Sequence, residues 1–149
     1  DVAKKGYAGA IYQDIQQFWN SLTWCFFYFF SGVTLGDEVN MLNAITGWDV
    51  TPEEAQKIGE RVVCMQQMFN LEMGMVPEKE NVMPERLTKP HKEGGAAGQV
   101  PPWQDILKEY WRTKDWTKGV PSKAKIEELG IADMESEKAL RVVAVDYKG

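Results

Sequence analysis

The groups in this chain whose chemistry reaches beyond packing are two thiols, one imidazole and several runs of carboxylates. Cys25 stands in the run Asn20-Ser21-Leu22-Thr23-Trp24-Cys25-Phe26-Phe27-Tyr28-Phe29-Phe30, at the edge of a dense aromatic stretch. A thiolate there is either a ligand for a soft metal centre or a small buried hydrophobe, and residue type alone favours packing. Iron–sulfur clusters and closed zinc sites take about four protein ligands, so Cys25 and Cys64 cannot complete one by themselves. Cys64 falls on the flank of a helical pattern, where packing is again the reading. His91, between Pro90 and Lys92, has no second histidine for a metal pair and no serine partner at a recognisable spacing. Glu53-Glu54, Glu78 to Glu80 and Glu127-Glu128 lie in polar surroundings that would not raise a carboxyl pKa, and they carry no chemistry here. Met65, Met68, Met73 and Met75 are expected as pliable core filler.

The elements that must position these groups are helical. Ile11, Ile15, Phe18, Leu22, Cys25, Phe26 and Phe29 recur at three and four residues, predicting a helix from about Tyr12 to Phe30 that ends at Gly32. Trp19, Trp24, Phe27, Tyr28 and Phe30 fill the rest of its circumference, which demands burial against protein or a cavity. A short helix over 37–45 turns Met41, Leu42 and Ile45 inward and stops at Gly47. Thr51-Pro52-Glu53-Glu54 reads as a capping box with proline in the first turn. The helix it opens carries Ala55, Ile58, Val62, Met65 and Phe69 along one stripe to about Met73. Prolines 77, 84, 90, 101 and 102 with glycines 94, 95 and 98 make residues 77–102 a long loop. Ile106, Leu107, Tyr110 and Trp111 restore a helical pattern, and Ser122 caps a last helix that ends at Gly130. In the tail from 132 to 149, Leu140, Val142, Val143 and Val145 favour a short strand by β-branching, without an evident partner strand. The fold class is therefore all-α: an irregular helical domain over 1–131 with a long loop, followed by a tail.

Bulk composition narrows the function classes. The chain has 149 residues, 44% of them hydrophobic, enough for one domain with a core. A net charge of -5 with interspersed basic residues opposes a nucleic-acid surface. Gln16, Gln17, Asn20, Ser21 and Thr23 break the aromatic run well short of a membrane span of ~20 apolar residues, and no signal peptide is apparent. Two cysteines do not make a disulfide framework, which points to a reducing compartment such as the cytoplasm.

An ordered series of segments carries a resemblance. LNAITGWD (Leu42 to Asp49), the helix start Thr51 to Glu54, IGER (Ile58 to Arg61), FNLEMGM (Phe69 to Met75), MPERL (Met83 to Leu87), Trp103 to Arg112 and Gly119 to Ile131 follow one another as in the carboxy-terminal region of the aldehyde:ferredoxin oxidoreductase family of tungsten enzymes, which this chain resembles. The resemblance covers about Tyr12 to Ile131. It sets NSLTWC against a family motif of the form Asp-x-x-Gly-Leu-Cys, whose loop binds a pterin and whose cysteine is the last ligand of a [4Fe–4S] cluster. Cys25 falls on that cysteine, Asn20 on the aspartate, Thr23 on the glycine and Trp24 on the leucine. The resemblance thus implies Cys25 as metal ligand and Asn20, Thr23, Trp24 and Cys25 as the cofactor-binding set, with no catalytic residue in this chain. Asn20 keeps hydrogen-bonding capacity but loses charge, and Thr23 and Trp24 crowd a close backbone approach, so cluster ligation carries over better than pterin contact.

The resemblance implies an oxidoreductase with a tungsten bis-pterin and a [4Fe–4S] cluster in the full-length protein, neither complete in this chain. The family reaction oxidises an aldehyde to a carboxylate and passes the electrons to ferredoxin or another electron-transfer protein. The expected partner is the remainder of the enzyme, its amino-terminal pterin domain, with this chain a fragment inactive alone. Phe26, Phe27, Phe29 and Phe30 are expected to wall the cluster off from water, with Trp24 at the edge of the substrate funnel. An aromatic-ring-thioester reductase of the same family, or a non-catalytic helical interaction module, are the alternatives.

Overall fold

A computed structural model describes residues 2–132 of the chain. Its elements run α1 (Val2–Ser21), a 3-10 segment (Phe26–Ser31), α2 (Leu35–Thr46), α3 (Pro52–Glu72), α4 (Pro77–Glu80), α5 (Glu85–Thr88), α6 (Trp103–Thr113), β1 (Trp116–Thr117), β2 (Val120–Pro121) and α7 (Lys123–Leu129). The architecture is mostly helical, as the periodicity predicts. The strand favoured for the tail lies outside the described residues. The hairpin that does form, with Trp116 opposite Pro121 and Thr117 opposite Val120, left no alternating pattern long enough to read.

The predicted aromatic helix is two pieces. α1 begins ten residues earlier than the pattern suggested and stops at Ser21 in a Schellman turn: Trp24 N–H donates to the Trp19 carbonyl at 3.3 Å and Thr23 N–H to the Asn20 carbonyl at 3.1 Å. Thr23 takes the left-handed conformation that closes the turn, with φ 59°. The phenylalanines that follow form the separate 3-10 segment, which Gly32 terminates at φ 85°.

α3 is the central element. Its start is capped as expected, the Thr51 hydroxyl accepting from Glu54 N–H at 3.2 Å. The reciprocal half of the expected box is replaced, since the Glu54 carboxylate takes Arg61 at 2.9 Å. A complete box sits instead at the start of α2, between Thr34 and Asp37, where the reading had placed no cap. Gly47 and Gly130 close α2 and α7 in left-handed conformations, and Ser122 caps α7, as read from the sequence.

α1 runs antiparallel along α3, because Phe18 shares a core with Ala55 while Asp14 meets Gly59. At that crossing the backbones touch: a Cβ on Gly59 would sit 1.8 Å from the Asp14 carbonyl oxygen. A second close approach joins α1 to α6, where a Cβ on Gly6 would lie 2.5 Å from the Ile106 carbonyl oxygen. One core cluster, Phe18, Trp19, Val39 and Ala55, ties the end of α1 to α2 and the start of α3. A second, Cys64, Met68, Ile126, Leu129 and Ile131, ties the far half of α3 to α7.

The inward stripe of α3 is Ala55, Gly59, Val63, Cys64, Met68 and Leu71, with Ile58 packed against the same core; Ala55 and Ile58 are inward as predicted, and the rest of the stripe is rotated from the predicted one. Met65 and Phe69 face outward, and Cys64 is in the core rather than on its flank. Small Gly59, which a hydrophobicity count passes over, decides this rotation because only it admits α1 so closely. α2 is corrected in the same sense: Leu35, Val39 and Leu42 face the core, while Met41 and Ile45 look outward. The 77–102 segment is a largely exposed excursion holding two single-turn helices and a bridge between His91 and Ala97.

Candidate functional site

The Schellman turn at the end of α1 determines where Cys25 goes. Reversal at Thr23 throws the chain off the helix, so Trp24 and Cys25 leave it sideways instead of continuing along its face. Tyr28 N–H then donates to the Cys25 carbonyl at 2.9 Å, starting the 3-10 segment. The Cys25 side chain is exposed. It borders a groove of about 380 Å³ lined by Thr23, Trp24, Cys25, Tyr28, Met41 and Ile45.

Three of the four residues singled out from the sequence therefore meet at one groove. Trp24 and Tyr28 form its aromatic wall, packed edge to face with centroids 5.6 Å apart. Met41 and Ile45, the α2 residues that were expected inward, make the opposite wall. Asn20 is not among the lining residues; it is exposed and its amide donates to Gln17 Oε1 at 3.3 Å within its own helix. Of the phenylalanines expected to wall the cysteine, Phe27 and Phe30 are 75% and 69% exposed in this chain, with ring centroids 6.2 Å apart. Among the described residues no three His, Cys, Asp or Glu side chains gather to hold a metal ion. The geometry offers one exposed sulfur ligand beside a largely apolar groove.

Thr23 is where the sequence resemblance and the backbone meet. A β-branched residue at positive φ is a steric outlier that glycine would relieve, and glycine is what the resemblance sets at this position. The chain makes the turn without the residue type best suited to it.

Three buried charged residues, Asp14, Glu38 and Lys114, escaped the sequence reading because each lies in a stretch of mixed polar and apolar residues that does not mark it as buried. Asp14 on α1 and Lys114 at the end of α6 form a buried ion pair across the molecule. Burial outweighs Lys114 and pushes the Asp14 carboxyl up to about 6. Tyr110, beside this pair, donates to Gln13 Oε1, and burial followed by the Asp14 charge raises its phenol. Glu38 on α2 is 1% exposed, and its Oε2 finds no hydrogen-bond partner. Burial first, then the neighbouring Asp37 charge, pushes Glu38 up to about 7.

Comparison with known proteins gives this groove its context. Residues 1–131 match the family model described as aldehyde ferredoxin oxidoreductase, domains 2 and 3. The chain belongs to the aldehyde ferredoxin oxidoreductase family. Curated relatives named tungsten-containing aldehyde ferredoxin oxidoreductase include those of Pyrococcus furiosus and Thermococcus kodakarensis, each 37% identical over 125 residues, or 83% of this chain. The relative from Pyrococcus abyssi is 35% identical over the same length. The chain spans about a fifth of the length of these relatives, 20% in each case. The match includes Cys25 and every segment that carried the resemblance. Membership in the aldehyde ferredoxin oxidoreductase family and the helical fold thus stand together. No helix among the described residues is long and apolar enough to cross a membrane.

Proposed function

We propose that this chain is the cluster-binding part of a tungsten-pterin oxidoreductase that oxidises aldehydes to carboxylates. The observation that carries the reading is the exposed Cys25 thiol, held on a fixed turn beside an apolar groove in a chain whose family match includes it. Its donor chemistry fits an iron–sulfur centre, which takes Cys thiolates and is tuned by apolar burial and hydrogen bonds at sulfur. The other ligands and the pterin-holding domain belong to the remainder of the enzyme. When bound, the pterin–tungsten group and the cluster take up the two electrons released as an aldehyde and water become a carboxylate and protons.

Each local residue has a part in that scheme. Thr23 reverses the chain, so Cys25 presents its sulfur outward rather than into the α1–α2 seam. Trp24, Tyr28, Met41 and Ile45 line the groove that Cys25 borders and supply apolar surface for the rest of the enzyme to close over the cysteine. Asn20, whose amide donates to Gln17 and which lacks a carboxylate, makes at most a neutral contact to a pterin, while Trp24 lines the groove itself. The exposed faces of Phe27 and Phe30 suit coverage by the rest of the enzyme, where they complete the dry surround. A cluster held in part by Cys25 would supply the exit route for electrons, with ferredoxin or a similar carrier as the acceptor. The 149-residue chain by itself binds neither intact cofactor and oxidises no aldehyde.

The test is metal and activity analysis of the full gene product purified without oxygen. Tungsten, about four irons and four sulfides per chain, and aldehyde-dependent reduction of ferredoxin are the expected results. A product with neither iron nor sulfide would leave a helical interaction module, with Cys25 reduced to surface chemistry.

A further inference from the structure

Of the three buried charged residues, Asp14 and Lys114 pair with each other, whereas Glu38 has an Oε2 without a hydrogen-bond partner among the described residues. An orphaned carboxylate oxygen in a core is costly, so Glu38 calls for an explanation. Its place on α2 says where to look. Met41 lies three residues beyond Glu38 and Ile45 seven beyond, which on a helix puts all three on one side. Met41 and Ile45 line the Cys25 groove. Glu38 does not line the groove itself; it stands one turn before Met41, where that side of α2 passes into the core that holds Val39. The described residues that α1 and α3 bring to that core, among them Ile15, Phe18, Trp19, Ala55 and Ile58, are neutral. Asp37 is the neighbouring charge that acts on Glu38, and Cys25 and Tyr28 are the titratable groups in the groove.

We infer that Glu38 is a redox-linked proton site, whose carboxylate takes up a proton from solvent when a cluster held in part by Cys25 gains an electron and releases it when the electron passes on. Oxidation of the aldehyde supplies the electron. In a dry surround the added negative charge is weakly screened, so it raises the affinity of a neighbouring carboxylate for a proton. Burial first, then the Asp37 charge, already pushes Glu38 up to about 7, which lets the proton exchange near neutrality. By linkage, a proton on Glu38 eases reduction of the cluster and its loss opposes reduction. Glu38 touches no reacting atom in this scheme and acts through its charge alone. The inference rests on the proposal that Cys25 holds a cluster, and it adds a group that couples the potential of that cluster to pH.

The test is the midpoint potential of the cluster in the full gene product, followed by electron paramagnetic resonance during dithionite titration at a series of pH values. In the parent the potential should fall as pH rises between about 6 and 8 and level off on either side. In Glu38→Gln it should hold one value throughout. A parent potential that ignores pH overturns the inference. So does an equal slope in Glu38→Gln, even at a displaced potential, because a merely structural role shifts the value at every pH alike. Should the variant lose its cluster, the reduced-minus-oxidised infrared difference spectrum of the parent decides. Gain of a carboxylic acid carbonyl stretch with loss of a carboxylate stretch on reduction supports the inference, and no such gain overturns it. Iron and sulfide are measured on the same samples: a parent without a cluster removes the functional proposal, whereas an intact cluster with a pH-independent potential removes this inference alone.

Discussion

Gly59 of α3 lies directly against the backbone of Asp14 in α1, so close that a methyl group in place of its hydrogen would stand 1.8 Å from the Asp14 carbonyl oxygen. The contact sets the depth at which α1 seats on α3. The same residue, Asp14, sends its side chain the other way to Lys114. One position thereby fixes α1 against α3 through its backbone and against the end of α6 through its carboxylate.

Gly59→Ala is accordingly expected to destabilise the fold by about 3 kcal/mol or more, since neither partner at the clash is a flexible side chain. Urea unfolding followed by circular dichroism measures it. Gly9→Ala, at a site with open space, is the matched control and should be neutral or stabilising by a few tenths of a kcal/mol, as helix propensity dictates.

Thr23→Gly should stabilise by about 1 kcal/mol, because glycine adopts the positive φ of the Schellman turn without the clash that a β-branched side chain meets. Thermal unfolding of the two proteins at one pH decides the matter. An unchanged or lowered midpoint would show that the turn is not strained.

Glu38 imposes a pH dependence of definite sign. Its carboxyl, raised from 4.5 to about 7, favours the folded state fully below 4.5, and that contribution is lost as pH rises through 7. Stability should fall between pH 5 and 8 by on the order of 2 kcal/mol from this group. Glu38→Gln removes the ionisation and should flatten that part of the profile, leaving the variant more stable than the parent at pH 8. A parallel profile in the variant would assign the slope to other groups.

Much of this architecture was legible because local signals carried it. Thr51, Ser122, Gly47 and Gly130 mark helix ends by chemistry that depends on neighbours three or four residues away, and all four act as read. The faces of the helices were less legible. From Val62 to Leu71 α3 carries no charged residue, so hydrophobicity alone could not say which side of that stretch faced the core; Gly59, through an absence of side chain, shows where α1 seats. The break at Thr23 was hidden for a related reason. Threonine gives no signal for a left-handed turn, and the aromatic residues beyond it continue a helical spacing by coincidence. Asp14 and Lys114, a hundred residues apart, could only be paired by the fold. Cys25 was found through resemblance, and the backbone then supplied the physical reason for its exposure.

The central claim concerns one sulfur, and the two cysteines separate its role from packing. Cys64 is buried beside Met68, Ile126 and Leu129, so Cys64→Ser should cost about 1–3 kcal/mol of stability by burying a hydroxyl, while cluster iron is retained. Cys25 is exposed, so Cys25→Ser should leave stability within about 0.5 kcal/mol of the parent. The deciding measurement is the low-temperature electron paramagnetic resonance spectrum and iron content of the dithionite-reduced, full gene product carrying Cys25→Ser. Loss of the [4Fe–4S] signal or its conversion to an altered cluster, in a protein that remains folded, is the predicted result; a spectrum and iron content identical to the parent's would contradict it.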